Sequence, residues 1–476
     1  MTTADRPNVI LFVIDALRAD EVEGYGAPAG ASPTLGQLGR AGAAVGDVRT
    51  TASWTLPAHA AMFSGQLARG LGLGQAPGQV PQGAAPVIKS QRPRLIAEVL
   101  RQQGYDTRGL STNGWSGKHC AFDSGFETFV DLVSSRQNDL GGGLRNRLRW
   151  DWEAMHARAD DGTAAAEDLL AGWIGKSGAR PFFWFMNLVE CHSPYLPPKP
   201  YAARSPLTRA RVADEAFRHL TFEAILLACL GKRQVPPGAI DRMRRMYRAA
   251  LKYIDDWLSR LLERLDQASL LDDTLIIVCA DHGENFGVGG LMGHGLSLDD
   301  RLLRVPLVVS GPGAQEFHGM RSLVEMPARI GRVSGVEDGP WPDGLPAGLA
   351  VAQWDPFQLG QERLAQLMRD WDLDEQEAAR LTAPMTCAVS GQLKLVRGAQ
   401  AEDEWLFDLE ADPLELAPIR GEPEIATRAG STLRALREAV NHPLVQATAE
   451  VSSQAEEVSA DEMADIERRM RLMGYM

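Results

Sequence analysis

Asn8-Val9-Ile10-Leu11-Phe12-Val13-Ile14-Asp15 is an unbroken apolar run closed by an acid. A strand with one face in water alternates apolar and polar residues. A run without alternation suits a strand covered on both faces, as in a parallel sheet between helices. The same pattern returns at 182–190, ending in Glu190, and at 274–280, followed by Asp281. A further apolar run covers 305–310, and a shorter strand is expected over 107–111. Helical stretches lie between them. Ser32-Pro33 opens one that runs to about Gly42, a second covers 57–64, and a third runs over 95–103 to Gly104. A long amphipathic one spans 240–267. Strands alternating with helices predict an α/β fold: a doubly wound, mostly parallel central sheet with helices on both faces. Ligands in such sheets bind beyond the carboxyl ends of the strands, where Asp15, Glu190 and Asp281 stand.

Outward from this frame the chain is harder to read. Residues 66–92 are rich in Gly, Pro and Gln and are expected to form a loop. Residues 139–162 carry three glycines and then Arg145, Arg147 and Arg149, which suggests a mobile basic segment. Strand-like stretches at 386–396 and 404–409 and a helix near 424–439 predict a small C-terminal α+β subdomain. The expected division is a catalytic domain over 1–380, the subdomain over 381–447, and an acidic tail with a short docking helix over 448–476.

Composition narrows the class. An apolar fraction of 45% with 23% charged residues is ordinary for a globular chain. A net charge of −13 argues against a general nucleic-acid binder or a binder of anionic membranes. The five cysteines, at 120, 191, 229, 279 and 387, are irregularly spaced and form no Cys-x-x-Cys pair. That argues against a disulfide framework and suits a reducing compartment. The first apolar run is too short for a signal peptide, and no segment approaches the ~20 apolar residues of a spanning helix. The expectation is a soluble, cytoplasmic protein without a membrane span. Nothing in the sequence sets an oligomeric state.

Four clusters can carry chemistry: Asp15 with its neighbours, Thr51-Ala52-Ser53-Trp54-Thr55-Leu56-Pro57-Ala58-His59, Glu190-Cys191-His192-Ser193-Pro194-Tyr195, and Asp281-His282-Gly283-Glu284 followed by Gly293-His294-Gly295. Any one alone can be a helix cap or a turn. Together, Asp15, Asp281 and His282 offer two carboxylates and an imidazole from two strand ends, a donor set for one divalent cation. A hydroxyl on the same ion has its pKa lowered and becomes a nucleophile. Thr55 fits, because the helix opened by Pro57 points its N-terminal amides at an anion. Ser53 is the alternative, but only Thr55 stands two residues before the proline. His192 and His294 can bond anionic oxygens or protonate a leaving group.

In this order the clusters resemble the sulfatase-like branch of the alkaline phosphatase superfamily. The resemblance runs through PNVILFVIDALRAD, SPTLGQLGRAG, TTASWTLPAHAAMFSG, PFFWFMNLVECHSPYLPP, YRAALKYIDDWLSRLLERL and DDTLIIVCADHGENFG. It continues in Arg304-Val305-Pro306, LFDLEADPLE and the closing Arg471-Leu472-Met473-Gly474-Tyr475. It implies metal-dependent hydrolysis of a small-molecule anionic ester, with Asp15, Thr55, Asp281 and His282 as metal ligands and one divalent ion (Mn, Zn or Ca) as cofactor. The departures carry as much information. Sulfatases have Cys-x-Pro-x-Arg, or Ser for Cys, whose first residue becomes formylglycine; here Thr55, Pro57 and His59 stand there. Threonine cannot become that aldehyde. A threonine nucleophile resembles the phosphodiesterases, phosphonate-ester hydrolases and phospho-group transferases of the superfamily, as does the Asp281-His282 pair. Ala16 stands where a second acid often follows the first. The implied chemistry is phosphate- or phosphonate-ester hydrolysis through a covalent phospho-threonine at Thr55, with His294 or His192 assisting the leaving alcohol. Asn113, Lys118 and His59 are candidate contacts to the substrate anion, His59 also a support of the nucleophile helix. The alternatives left open are a soluble phospho- or sulfo-group transferase, a sulfatase working without formylglycine, and a binding protein that has lost catalysis.

Overall fold

The computed structural model describes residues 6–73, 81–133, 152, 154–157, 160–178, 180–341, 348–355, 361–398, 403–419 and 422–447. The arginines at 145, 147 and 149 and the tail over 448–476 lie outside them.

The opening run forms β1 (Asn8–Ile14), every residue of it buried beyond Asn8. Its sheet also contains β2 (Ala43–Ala44), β3 (Asp106–Ser111), β4 (Thr128–Asp131), β5 (Phe182–Leu188), β6 (Thr274–Cys279) and β9 (Leu307–Ser310), in the order β2-β9-β6-β1-β5-β3-β4. The five strands from β6 to β4 run parallel, whereas β9 pairs antiparallel with β6 and β2 antiparallel with β9. The mostly parallel sheet is therefore the expected one, with an antiparallel edge. Helices cover it: α1 (Pro33–Ala41), α2 (Thr55–Ser64), α4 (Ile96–Gln102), and the helices Thr163–Ile174 and Pro237–Gln267. The Pro237–Gln267 helix lays one apolar face, including Tyr247, Leu251, Ile254 and Trp257, into the main core.

The expected loop over 66–92 holds a helix, α3 (Pro81–Ser90), in spite of Pro86 inside it. Ala84 and Ile88 are four residues apart and both fully buried, so two apolar side chains on one face suffice to dock it. α2 begins at Thr55, two residues before the expected start, and stops where Gly65 takes a left-handed conformation.

A second, antiparallel sheet has the order β10-β11-β12-β13, built from β10 (Ala350–Trp354), β11 (Met385–Ser390), β12 (Leu393–Arg397) and β13 (Glu404–Asp408), with the helix Glu422–Val440 against it. The division drawn at 380 falls inside this unit's strand order, because β10 comes from before it. A short antiparallel hairpin of β7 (Asn285–Phe286) and β8 (Met292–Gly293) forms a sheet of its own. Among the described residues no helix is long and apolar enough to cross a membrane.

Candidate active site

The register places the chemistry. Val13 sits beside Cys279 on one flank and Asn187 on the other. Two residues further on, the chain ends of β1 and β6 set Asp15 beside Asp281. Asp15, Asp281 and His282 are fully buried, and a ligand atom from each lies within 4.8 Å of the other two.

Each carboxylate gives one oxygen to the protein and leaves the other. Asp15 Oδ2 accepts from Asn113 Nδ2 at 2.7 Å and from Asn187 Nδ2 at 3.4 Å, while Oδ1 is buried without a hydrogen-bond partner. Asp281 Oδ1 accepts the backbone N–H of Ala16 at 3.1 Å and of His282 at 2.9 Å, while Oδ2 is left without one. Ala16 reaches Asp281 by adopting φ 58°, a left-handed conformation uncommon for a residue with a side chain. Tyr247 locks that turn from the long helix, donating to the Ala16 carbonyl and accepting from the Arg18 N–H.

His282 completes the set. Its Nδ1 lies 2.9 Å from the Gly283 carbonyl, which can only accept, so Nδ1 carries the proton and Nε2 presents a lone pair. Burial lowers its pKa to about 3, so the ring is neutral and fit to ligate. Nε2 lies 3.8 Å from Asp15 Oδ1 and 3.5 Å from Asp281 Oδ2. Burial first, and then the Asp281 charge, raise the Asp15 pKa, so these two acids resist being ionised together. Two orphaned buried carboxylate oxygens and a neutral imidazole converging on one point fit a divalent cation.

Thr55, the first residue of α2, is fully buried beside them. Its Oγ1 lies 3.3 Å from His282 Nε2, to which it donates, and accepts from Asn113 Nδ2 at 3.2 Å. The Asn113 amide cannot be reversed, because its Oδ1 accepts the Trp115 N–H at 2.9 Å. Asn113, an expected anion contact, thus directs its amide N–H groups at Thr55 and Asp15. His59, one turn along α2, is fully buried with both ring nitrogens engaged: Nδ1 at 2.9 Å from the Thr55 carbonyl and Nε2 at 2.9 Å from Asn187 Nδ2. Both ring nitrogens are thus engaged within the protein, one on α2 and one on β5. Lys118 is exposed on a turn whose backbone N–H bonds Asp131, and it takes no part in the cluster's hydrogen bonds.

Two more histidines flank the set. The His192 ring is 4.8 Å from that of His294, and the His294 ring 4.5 Å from that of His282. His192 Nδ1 donates to the Ser193 carbonyl at 2.9 Å, and its Nε2 is buried without a partner. His294 Nδ1 bonds Glu284 Oε1 at 3.1 Å, and Tyr195 donates to Glu284 Oε2 at 2.7 Å. Burial opposes the charged ring of His294, but the Glu284 carboxylate outweighs it and holds the pKa above the usual histidine value. Glu190, at the remaining strand end, does not join: its Oε1 accepts the Asp161 N–H at 2.8 Å, and burial holds its carboxyl well above the usual range. The sequence reading missed Asn187 altogether and gave Glu284 and Tyr195 no role. The signal for Asn187 was present, a lone amide in the otherwise apolar strand FFWFMNL.

The Sulfatase family model matches residues 7–330, which hold every side chain of this cluster. The chain belongs to the sulfatase family. A choline-sulfatase of Rhizobium meliloti (strain 1021) is 30% identical over 257 residues, 51% of this chain and 47% of that protein, so the chain spans about half the length of this relative. The multifunctional alkaline phosphatase superfamily protein PehA of Trinickia caryophylli is 25% identical over 489 residues, 88% of this chain and 92% of that one. Among solved structures, a phosphonate monoester hydrolase from Silicibacter pomeroyi superposes with a TM-score of 0.62 at 17% identity, covering 96% of this chain and 98% of that chain. At that identity the likeness in three dimensions is one of fold.

Proposed function

We propose that this sulfatase-family protein is a metal-dependent hydrolase of phosphate or phosphonate esters that uses Thr55 as nucleophile. The observation that carries the reading is Thr55 Oγ1, buried at a helix N-terminus, with Asn113 Nδ2 at 3.2 Å and His282 Nε2 at 3.3 Å. A divalent cation held by Asp15, Asp281 and His282 supplies charge neutralisation for the phosphoryl oxygens. With the cation on His282 Nε2 that lone pair would no longer accept the Thr55 hydroxyl proton, which passes to water instead; the Asn113 N–H then stabilises the oxygen that remains. Thr55 Oγ1 bonds to phosphorus as the bond to the leaving alcohol's oxygen breaks. His294, with Nδ1–H on Glu284, or His192 supplies the proton that the alcohol takes away. Water then attacks the phospho-threonine, the Thr55 oxygen–phosphorus bond breaks, and the free hydroxyl returns.

Thr55→Ala is expected to abolish turnover of an aryl phosphodiester while circular dichroism and thermal unfolding stay those of the parent. Rapid quench of the parent should leave a phosphoryl group on the peptide carrying Thr55. Unchanged turnover in the variant rejects the assignment. The likeness to a choline-sulfatase favours a second reading, hydrolysis of sulfuric esters by the same hydroxyl. Rates on the sulfate and phosphate esters of one alcohol separate the two.

A further inference from the structure

The segment that carries His294 is gripped by the second sheet. Gly293 and Gly295 on either side of it have φ of 63° and 88°, left-handed conformations that leave the backbone little preference of its own. Before His294 the chain is tied by the hairpin, Gly293 pairing with Asn285. After it the ties come from the C-terminal sheet. Trp354 of β10 donates its indole N–H to the Gly295 carbonyl. Lys394 of β12 donates to the Leu298 carbonyl and, at 2.6 Å, to Glu415 Oε2, and the other Glu415 oxygen accepts the Asp300 N–H. Leu298 and Leu303 pack in one apolar cluster with Ala352, Trp354, Cys387 and Val396.

The same strand also reaches the nucleophile. Gln353, next to Trp354, donates its backbone N–H to the Thr51 carbonyl at 2.8 Å, four residues before Thr55. Adjacent residues of β10 therefore bond the segments on which the attacking oxygen and His294 sit. A buried pair such as Lys394–Glu415 is a poor source of stability, since apolar residues of similar size do as well or better. Both Trp354 and Lys394 are buried, and both spend their N–H groups on carbonyls of the His294 segment.

We propose that β10, through the Trp354 indole N–H, sets the reach of His294 toward the leaving group, which makes the C-terminal sheet a positioning element of the active site. The inference rests on the proposed role of His294 as proton donor to the departing alcohol. Trp354 touches no reacting atom, so its effect is confined to the step that needs the proton.

Trp354→Phe, in the full chain, deletes the donor and leaves an aromatic, though smaller, side chain in the same apolar cluster. On a phenyl phosphodiester, whose leaving group needs a proton, kcat is expected to fall about tenfold, because small displacements of an acid cost that much. On the 2,4-dinitrophenyl ester, whose leaving group departs unprotonated, the fall should stay under about threefold, with KM and divalent-cation affinity held within about twofold on the same argument. Equal losses on both esters, or none, overturn the proposal. Backbone amide exchange gives a readout independent of turnover: residues 293–298 should exchange faster in the variant, and an unchanged pattern overturns the proposal as well. Should Trp354→Phe not fold, the double variant Lys394→Met/Glu415→Gln removes the neighbouring tie without stranding a charge and is read the same way. If the parent protein splits neither ester, the proposed function falls, and the exchange pattern still decides the role of β10.

Discussion

At the scale of single residues, the site works by division of labour between the two oxygens of each carboxylate. Asp15 Oδ2 and Asp281 Oδ1 are held by protein N–H groups, which turns Oδ1 and Oδ2 respectively toward the common point. Gly283 lets the Arg301 carbonyl close on the loop behind them; a Cβ there would lie 1.9 Å from that oxygen. Asn113 bonds both Asp15 and Thr55, the proposed nucleophile, so on that proposal its removal should act on the transition state rather than on binding. Asn113→Ala is expected to lower kcat by about 10²–10³ with little change in KM, the size seen when one donor to a developing oxyanion is lost. Steady-state kinetics on an aryl phosphodiester check this, and a KM effect with unchanged kcat would place Asn113 in substrate binding instead. The donor set Asp15, Asp281 and His282 was legible in the sequence because strand ends advertise themselves. Asn113 was read as an anion contact because its partners stand 58 and 98 positions away, a relation no local pattern carries.

At the scale of elements, legibility followed burial. β1, β5 and β6 are covered on both faces, so their sequences are apolar throughout and their ends are plain. β4, at the sheet edge, buries only Phe129 and did not stand out; β10 is the exception, buried throughout but masked by the Gly- and Pro-rich stretch before it. α1 shows a second limit. Its Ser32 side chain, read as a cap, instead accepts the Glu23 N–H, and the N–H groups of Thr34 and Leu35 are taken by Asp255 of the long helix. α4 offers a measurable consequence of local charge. Glu98 accepts from Arg101 at 2.6 Å and also from Gln102 and Arg92, and the Arg101 bond above all lowers its pKa to about 2. A carboxylate with a depressed folded pKa adds stability above its unfolded value, near 4.5, and loses it as pH falls toward 2. The arginines are reached by solvent, which screens the pair, so Glu98→Gln should cost about 1–2 kcal/mol at pH 7. Urea unfolding at pH 7 and pH 3 tests the sign. The gap between parent and variant should narrow at the lower pH, and a gap that widens contradicts the assignment.

At the scale of the whole molecule, the sequence disclosed the parallel sheet and the side of it that bears the site, because both follow from the apolar runs and the acids that close them. It could not disclose that a second sheet leans on the histidine segment, since that contact joins residues 295–300 to Trp354, Lys394 and Glu415, side chains 59 to 115 positions further along the chain. The two buried acids now make a prediction about global stability that separates a cation site from a mere acid pair. Side by side without a counter-ion, Asp15 and Asp281 repel, and burial adds to the penalty. Asp281→Asn relieves that repulsion, so in excess chelator the variant should unfold at the same temperature as the parent or higher. A ligand that binds only the folded chain stabilises it by about 2.7 kcal/mol at one hundred times its dissociation constant, which for a chain of this size moves the midpoint by a few degrees. Saturating Mn²⁺, Zn²⁺ or Ca²⁺ should therefore raise the parent's midpoint and leave the variant's unmoved, so that the order of the two reverses between chelator and cation. Differential scanning calorimetry reads all four conditions. Equal shifts in parent and variant would mean that the cation binds elsewhere, and the reading of Asp15, Asp281 and His282 as a metal centre would fail with it.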